Sequence, residues 1–274
     1  MSTSLRLCVF AAFLGGLVAP VQALANEDAA AGVRDEAPLL PVLVLQIGAG
    51  ARFRNVHLDL GAVGTDTRSF ETGAYFDLAW HLLVRPMGRR MSKPSVQAII
   101  LQVDGGSGIG LRAEISGIEL QTNTWRMLGQ FGYLYPMNRL ELGGVVGVGG
   151  DVFDIDLNSV LPSSRMIYAR LGPALSYRIV PRFLRLRVDF GFRFPFHLGG
   201  LEDAFGNESS GIGLDAAVTF QGWLKVGFSY AVRFVWEYYR LRFSGSNMNV
   251  PAMGDGGDGN DHALTIQFLF GWSL

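Results

Sequence analysis

The feature that most restricts what this chain can fold into is a two-residue alternation sustained over long segments. From Phe70 the even positions read Phe70, Thr72, Ala74, Phe76, Leu78, Trp80, Leu82 and Val84, while the odd ones include Glu71, Asp77, His81 and Arg85. Further on, Leu184, Leu186, Val188, Phe190, Phe192, Phe194, Phe196 and Leu198 form one row, against Arg185, Arg187, Asp189, Arg193 and His197 in the other. A third row, Leu224, Val226, Phe228, Tyr230, Val232, Phe234, Trp236 and Tyr238, lies opposite Lys225, Arg233 and Glu237. Successive side chains of a strand point to opposite faces. Each segment therefore has one apolar, charge-free face and one polar face.

The pattern predicts ten strands, at residues 42–54, 70–85, 96–116, 123–135, 139–151, 164–179, 183–198, 211–221, 223–242 and 262–274. Asp104-Gly105 is a hairpin signal. Yet Ile99, Leu101, Val103, Ile109, Leu111, Ala113 and Ile115 keep one parity across the glycines, which favours a single long strand there. The 36 glycines are scattered among apolar and aromatic residues, as in a sheet whose strands bend and pack closely.

The apolar rows face either a second sheet or lipid. They are bulky, and about ten residues long, which is what a tilted strand needs to cross the hydrocarbon. Within lipid every backbone N–H and C=O must be paired, so the sheet has to close. A charge on the lipid face near mid-bilayer costs about 2–4 kcal/mol, which accounts for its absence from these rows. The expected fold is all-β: a transmembrane antiparallel up-and-down β-barrel of about 10 strands, within a range of about eight to twelve. No stretch of about eighteen apolar residues indicates a membrane helix. Tight turns are expected at Pro136-Met137-Asn138, Val180-Pro181-Arg182 and Gln221-Gly222-Trp223, with long polar connections at 199–210 and 244–261.

Arg6, the apolar run Leu7 to Val18 and the small-x-small site Ala23-Leu24-Ala25 read as a signal peptide over residues 1–25. Residues 26–41, with Glu27, Asp28, Asp35 and Glu36, read as a flexible acidic lead-in or a segment that tucks into the lumen; the barrel occupies 42–274. The one cysteine, Cys8, falls in the signal segment, so no disulfide is expected in the exported chain. A net charge of −1 gives no global field for nucleic acid.

Leu264, Ile266, Phe268, Phe270, Trp272 and Leu274 are apolar at every second place up to the last residue. This end resembles the C-terminal signature of bacterial outer-membrane β-barrel proteins of Gram-negative cells, although Leu274 stands where Phe or Trp is usual. The resemblance is to the general class, through pattern and not a family motif. It implies export to the outer membrane, handling by the barrel-assembly machinery, and outer-membrane lipid and lipopolysaccharide as surroundings.

The polar rows predict lumen-facing charges at Glu71, Asp77, Arg85, Glu141, Arg170, Arg178, Arg185, Arg187, Asp189, Arg193, Asp215, Lys225, Arg233 and Glu237. Such residues either line an ion-selective pore or fill a narrow interior with Arg–carboxylate pairs. Asp258 and Asp261, within Gly256 to Asp261, match half of a calcium-binding nonapeptide. That run occurs once, and a solvated loop is the simpler reading. Asp151, Asp154 and Asp156 form a small acidic group at a strand end, a further candidate for a divalent ion. His57, His81, His197 and His262 lack metal-ligand spacing, and no nucleophile frame surrounds them. Trp80, Trp125, Trp223, Trp236 and Trp272, with Tyr133, Tyr135, Tyr230 and Tyr238, are candidates for interfacial girdles. No catalytic residue, cofactor or confident metal site is assigned. The expected function is a non-catalytic barrel with a structural or interaction role, or a narrow porin-like small-solute channel. The alternatives are an outer-membrane hydrolase acting on lipid or peptide, tested at His81 and His197, and a soluble ligand-binding barrel.

Overall fold

The structure, a computed structural model, describes residues 41–60, 66–87, 94–109, 112–115, 118–155, 162–180, 183–206, 208–224, 227–244 and 256–274. The signal and lead-in expectations for residues 1–40 lie outside them. The described strands are β1 (Leu43–Leu60), β2 (Asp66–Glu71), β3 (Tyr75–Val84), β4 (Ile99–Ile109), β5 (Arg112–Ile115), β6 (Ile118–Met137), β7 (Leu140–Ile155), β8 (Ser164–Val180), β9 (Leu184–His197), β10 (Glu208–Trp223), β11 (Phe228–Ser244) and β12 (Gly257–Ser273). Two short helices, α1 (Pro94–Gln97) and α2 (Gly200–Phe205), lie between strands.

Around the wall the antiparallel order is β1-β3-β4-β6-β7-β8-β9-β10-β11-β12, and β12 returns to β1 from Val44↔Ser273 to Leu60↔Gly257. The seam is drawn tight at its end, where Leu274 N donates to the Leu43 carbonyl and Val42 N donates to that of Leu274. β2 extends the wall begun by β3, and β5 pairs only with β6, so the closed wall has ten strands. Closure leaves no unpaired edge, the condition that lipid imposes. The end where β1 begins and β12 finishes is called the base below, and the opposite end the crown.

Asp104-Gly105 does not turn. β4 runs straight through it, paired with β3 at Trp80↔Gly105 and with β6 at Asp104↔Leu128. The glycine serves a different purpose: a Cβ there would collide with the Trp80 indole, which lies across it. Of the three expected tight turns, the first falls at Asn138, whose φ of 53° is left-handed, just past Met137. At the second, Phe183 N donates to the Val180 carbonyl, while Pro181 and Arg182 lie outside the described residues. The third is corrected: β10 continues through Trp223, and the reversal comes later, at Gly227 with φ 77°. Leu224 N donates to the Phe228 carbonyl across it.

The apolar rows point outward as a continuous belt. Ile47, Val148, Phe196 and Trp272 are 67%, 58%, 64% and 63% exposed. The belt ends toward the crown, where Arg165, Arg240 and Arg242 take the outward parity of rows that are charge-free nearer the base. Trp272, Tyr133 and Tyr135 face outward near the base, and Trp125, Trp236 and Tyr238 nearer the crown. Trp80 is filler within the belt.

Candidate functional site: the lumen

The interior has three levels. At the crown, inward positions are apolar: Leu58, Phe153, Ile155, Met166, Leu241 and Phe243 join Leu201, Ala204 and Phe205 of α2 in one cluster. Phe205 is fully buried and lies 5.7 Å from the Phe243 ring. The helix is held there by Glu202, whose Oε1 accepts from Leu198 N and from Ser209 Oγ, at 3.0 and 2.6 Å.

Beneath it lies a network of ion pairs. Arg52 Nη2 reaches Asp151 at 2.8 Å and Glu237 at 3.0 Å. Arg54 forks onto Asp261 at 3.1 and 2.6 Å. Arg193 joins Glu237 to Asp215, at 2.8 and 2.7 Å, and donates to the Tyr239 hydroxyl at 2.6 Å. Arg170 forks onto Asp215 from its own side, with Nη2 at 2.6 Å. These residues come from β1, β7, β8, β9, β10, β11 and β12, so the chain of pairs crosses the lumen rather than lining it. Paired, forked geometry is what a buried charge requires. Space for it is made by glycine: a Cβ on Gly191 would meet the Arg170 guanidinium at 2.6 Å.

A middle level follows. Arg126 forks onto Asp77 at 2.7 and 2.6 Å, and Gln267 donates to the same carboxylate at 2.9 Å. Asp104 gathers His81 at 2.7 Å, Gln102 at 2.6 Å, and Arg233 from β11. Toward the base, Arg187 binds Asp189 at 2.7 Å, and Arg85 binds Glu141 at 2.9 Å.

Most of the charges predicted to face the lumen do so: Asp77, Arg85, Glu141, Arg170, Arg178, Arg185, Asp189, Arg193, Asp215 and Glu237 are buried, while Arg187 and Arg233 are nearly so. Lys225 lies outside the described residues. Glu71 is a correction: it is exposed, and Phe70 and Thr72 are the buried residues. Between the pairs Val56↔Phe70 and Arg52↔Tyr75, β1 advances four residues and its partner five. One extra residue reverses the parity of everything before it. Phe70 accordingly packs edge-on to Phe153 inside, at 5.2 Å.

The calcium reading of Asp258 and Asp261 is also overturned. Both lie in β12, on opposite faces, and each has an arginine: Asp258 has Arg242 at 3.2 Å and Asp261 has Arg54. Asp151 is likewise an inward partner of Arg52, while Asp154 lies 3.7 Å from Arg165 outside; Asp156 is not among the described residues. No group of three His, Cys, Asp or Glu that could hold a metal occurs among the described residues.

Arg52, Arg54, Asp104, Arg126, Asp151 and Asp261 were missed as lumen charges. Parity within their own strands identifies the first four, since each alternates with outward Phe53, Val103, Trp125 or their neighbours.

The four histidines stay apart. His81 is committed to Asp104, and His197 sits 3.1 Å from Glu202 at the crown. His57 is 3.4 Å from Asp59, exposed, and His262 packs outside on Tyr238 at 4.6 Å between ring centroids.

Among the described residues, three gaps within the lumen, beside Glu141 and Arg185, beside Asp104 and Arg126, and beside Arg52 and Asp151, have room for a few isolated waters at most.

This is the architecture of bacterial outer-membrane β-barrels. The outer-membrane protease OmpT from Escherichia coli aligns with a TM-score of 0.53 at 11% identity, over 85% of this chain and 96% of that one. An outer-membrane channel from Pseudomonas putida F1 aligns at 0.42, 12% identical, over 88% of this chain and 99% of that one. The likeness to the protease concerns the fold alone. No protein-family model matches the sequence, and no curated protein matches it either.

Proposed function

We propose that the protein is a non-catalytic barrel of the bacterial outer membrane, closed to solute flow, that serves a structural or interaction role. The observation that carries this is the ion-pair chain crossing the lumen from Arg54 through Asp151, Arg52, Glu237, Arg193 and Asp215 to Arg170. Opening a path would require separating buried charges, at several kcal/mol for each pair broken. The apolar cluster under α2 adds a second seal at the crown.

The outer-membrane setting is supported by the belt. Leu264 to Ser273 on β12 matches the roughly 9–11 residues a tilted strand spends in hydrocarbon. Exposed apolar surface on this scale is far beyond what soluble monomers carry, which weighs against a water-soluble ligand-binding barrel. The absence of a hydrolytic role is supported by His81, which is locked against Asp104 beside Arg233, and by the separation of the other histidines.

The test is planar-bilayer recording of the folded mature protein, with folding confirmed by heat-modifiable gel migration. The expected record is silent. Stable, reproducible current steps from the wild-type barrel would refute the closed lumen and restore the small-solute channel.

A further inference from the structure

The base of the lumen departs from the charge pairing seen above it. Arg178 on β8 and Arg185 on β9 are direct cross-strand partners, both inward and each 7% exposed. Like charges placed opposite each other on a ladder repel. Arg85, 1% exposed, comes from the end of β3 to the same place. All three turn toward one carboxylate, Glu141. Arg85 bonds it at 2.9 Å, while Arg185 and Arg178 stand off at 3.7 and 3.8 Å, beyond hydrogen-bond range.

Elsewhere among the described residues, each buried lumen arginine holds a carboxylate by a hydrogen bond or a short ion pair. Arg178 and Arg185 hold none. The Nε atoms of Arg85, Arg178 and Arg185 are buried without a partner, as are Glu141 Oε1 and Ser176 Oγ. Arg185 is steadied on its other side by the Trp223 ring, 5.3 Å from its guanidinium carbon. A small gap adjoins this group, lined in part by Arg85, Arg185, Glu141, Gln46 and Gln221. Among the described residues, three guanidiniums against one carboxylate leave two positive charges uncompensated in a buried place, an arrangement that is costly unless an anion joins it.

We infer that the base of the lumen is a binding site for a small tetrahedral oxyanion of the phosphate or sulfate class. A dianion of this kind neutralises the excess, and its oxygens match the planar forks of two facing guanidiniums. The Nε donors now without partners become its ligands. Entry is from the base, because Arg178 and Arg185 lie within two residues of the ends of their strands at Val180 and Leu184. The free space is small, so the arginines close directly on the anion. This inference is independent of the closed-lumen reading: conductance tests one, and titration the other.

The experiment is calorimetric titration of the folded protein, in a non-ionic detergent, with inorganic phosphate, against sodium chloride at matched ionic strength. Saturable binding of one phosphate per barrel is expected, with no such binding of chloride. Arg178→Gln and Arg185→Gln are each expected to weaken it about tenfold or more, the scale of one charge-assisted hydrogen bond. Arg185→Lys, which keeps the charge but loses the fork, should fall between. Arg165→Gln, at an exposed position on the crown, should leave it unchanged. A wild-type titration indistinguishable from chloride overturns the site, and so does phosphate binding that survives both glutamine variants in folded protein. The wild-type comparison decides the matter even where a variant fails to fold.

Discussion

Asp215 is the residue whose loss most directly tests whether the lumen is held shut by charge pairing. Its carboxylate, 2% exposed, accepts Arg170 Nε and Nη2 on one side and Arg193 Nε on the other. Substitution to alanine affects the two arginines unequally. Arg193 keeps Glu237 and the Tyr239 hydroxyl. Arg170 loses its carboxylate and remains a buried, uncompensated cation. Breaking a buried pair from one side costs about 3–5 kcal/mol. With an m-value of about 3 kcal/mol/M, the upper end for urea, Asp215→Ala should lower the unfolding midpoint in lipid vesicles by about 1–1.7 M. The partner variant Arg170→Met removes the stranded cation. The double variant should therefore recover a substantial part of the loss, with a coupling of about 1–3 kcal/mol. If Asp215→Ala moves the midpoint by less than about 0.3 M, or if the two single effects simply add, the pairing does not hold the lumen together.

Two further expectations concern the belt and the parity reversal. Val148, 58% exposed on β7, faces outward within the belt, so Val148→Arg should cost about 2–4 kcal/mol, read as reduced folding yield into vesicles and a lower urea midpoint. An effect near zero would mean that this face does not meet hydrocarbon. Glu71, exposed on β2 and not a lumen charge, should tolerate alanine within about 0.5 kcal/mol in the same assay; a loss on the scale of Asp215→Ala would restore its inward placement.

The errors at Glu71 and at Asp258 and Asp261 have different physical sources. Parity is informative only between irregularities, and one residue inserted between Phe70 and Tyr75 exchanged inside for outside without leaving a polar or apolar signature. Asp258 and Asp261 looked like loop residues because glycine-rich sequence signals turns. Their place in β12 is imposed by pairing with β1 and β11, where Arg242 stands opposite Asp258 and Arg54 reaches Asp261 diagonally.

By itself the sequence determined the barrel. The cost of a charge in hydrocarbon and the need to pair every backbone group act on each strand separately, so they leave a local, period-two record in Leu184 to Leu198 or Leu264 to Leu274. Tertiary structure alone decided which charges meet. Arg52 and Asp151 lie far apart in the chain and on opposite walls of the barrel, and nothing local couples them. Only closure of the sheet sets the width of the lumen, and that width lets Arg52 reach Asp151 and Glu237 while leaving Arg178 and Arg185 short of Glu141.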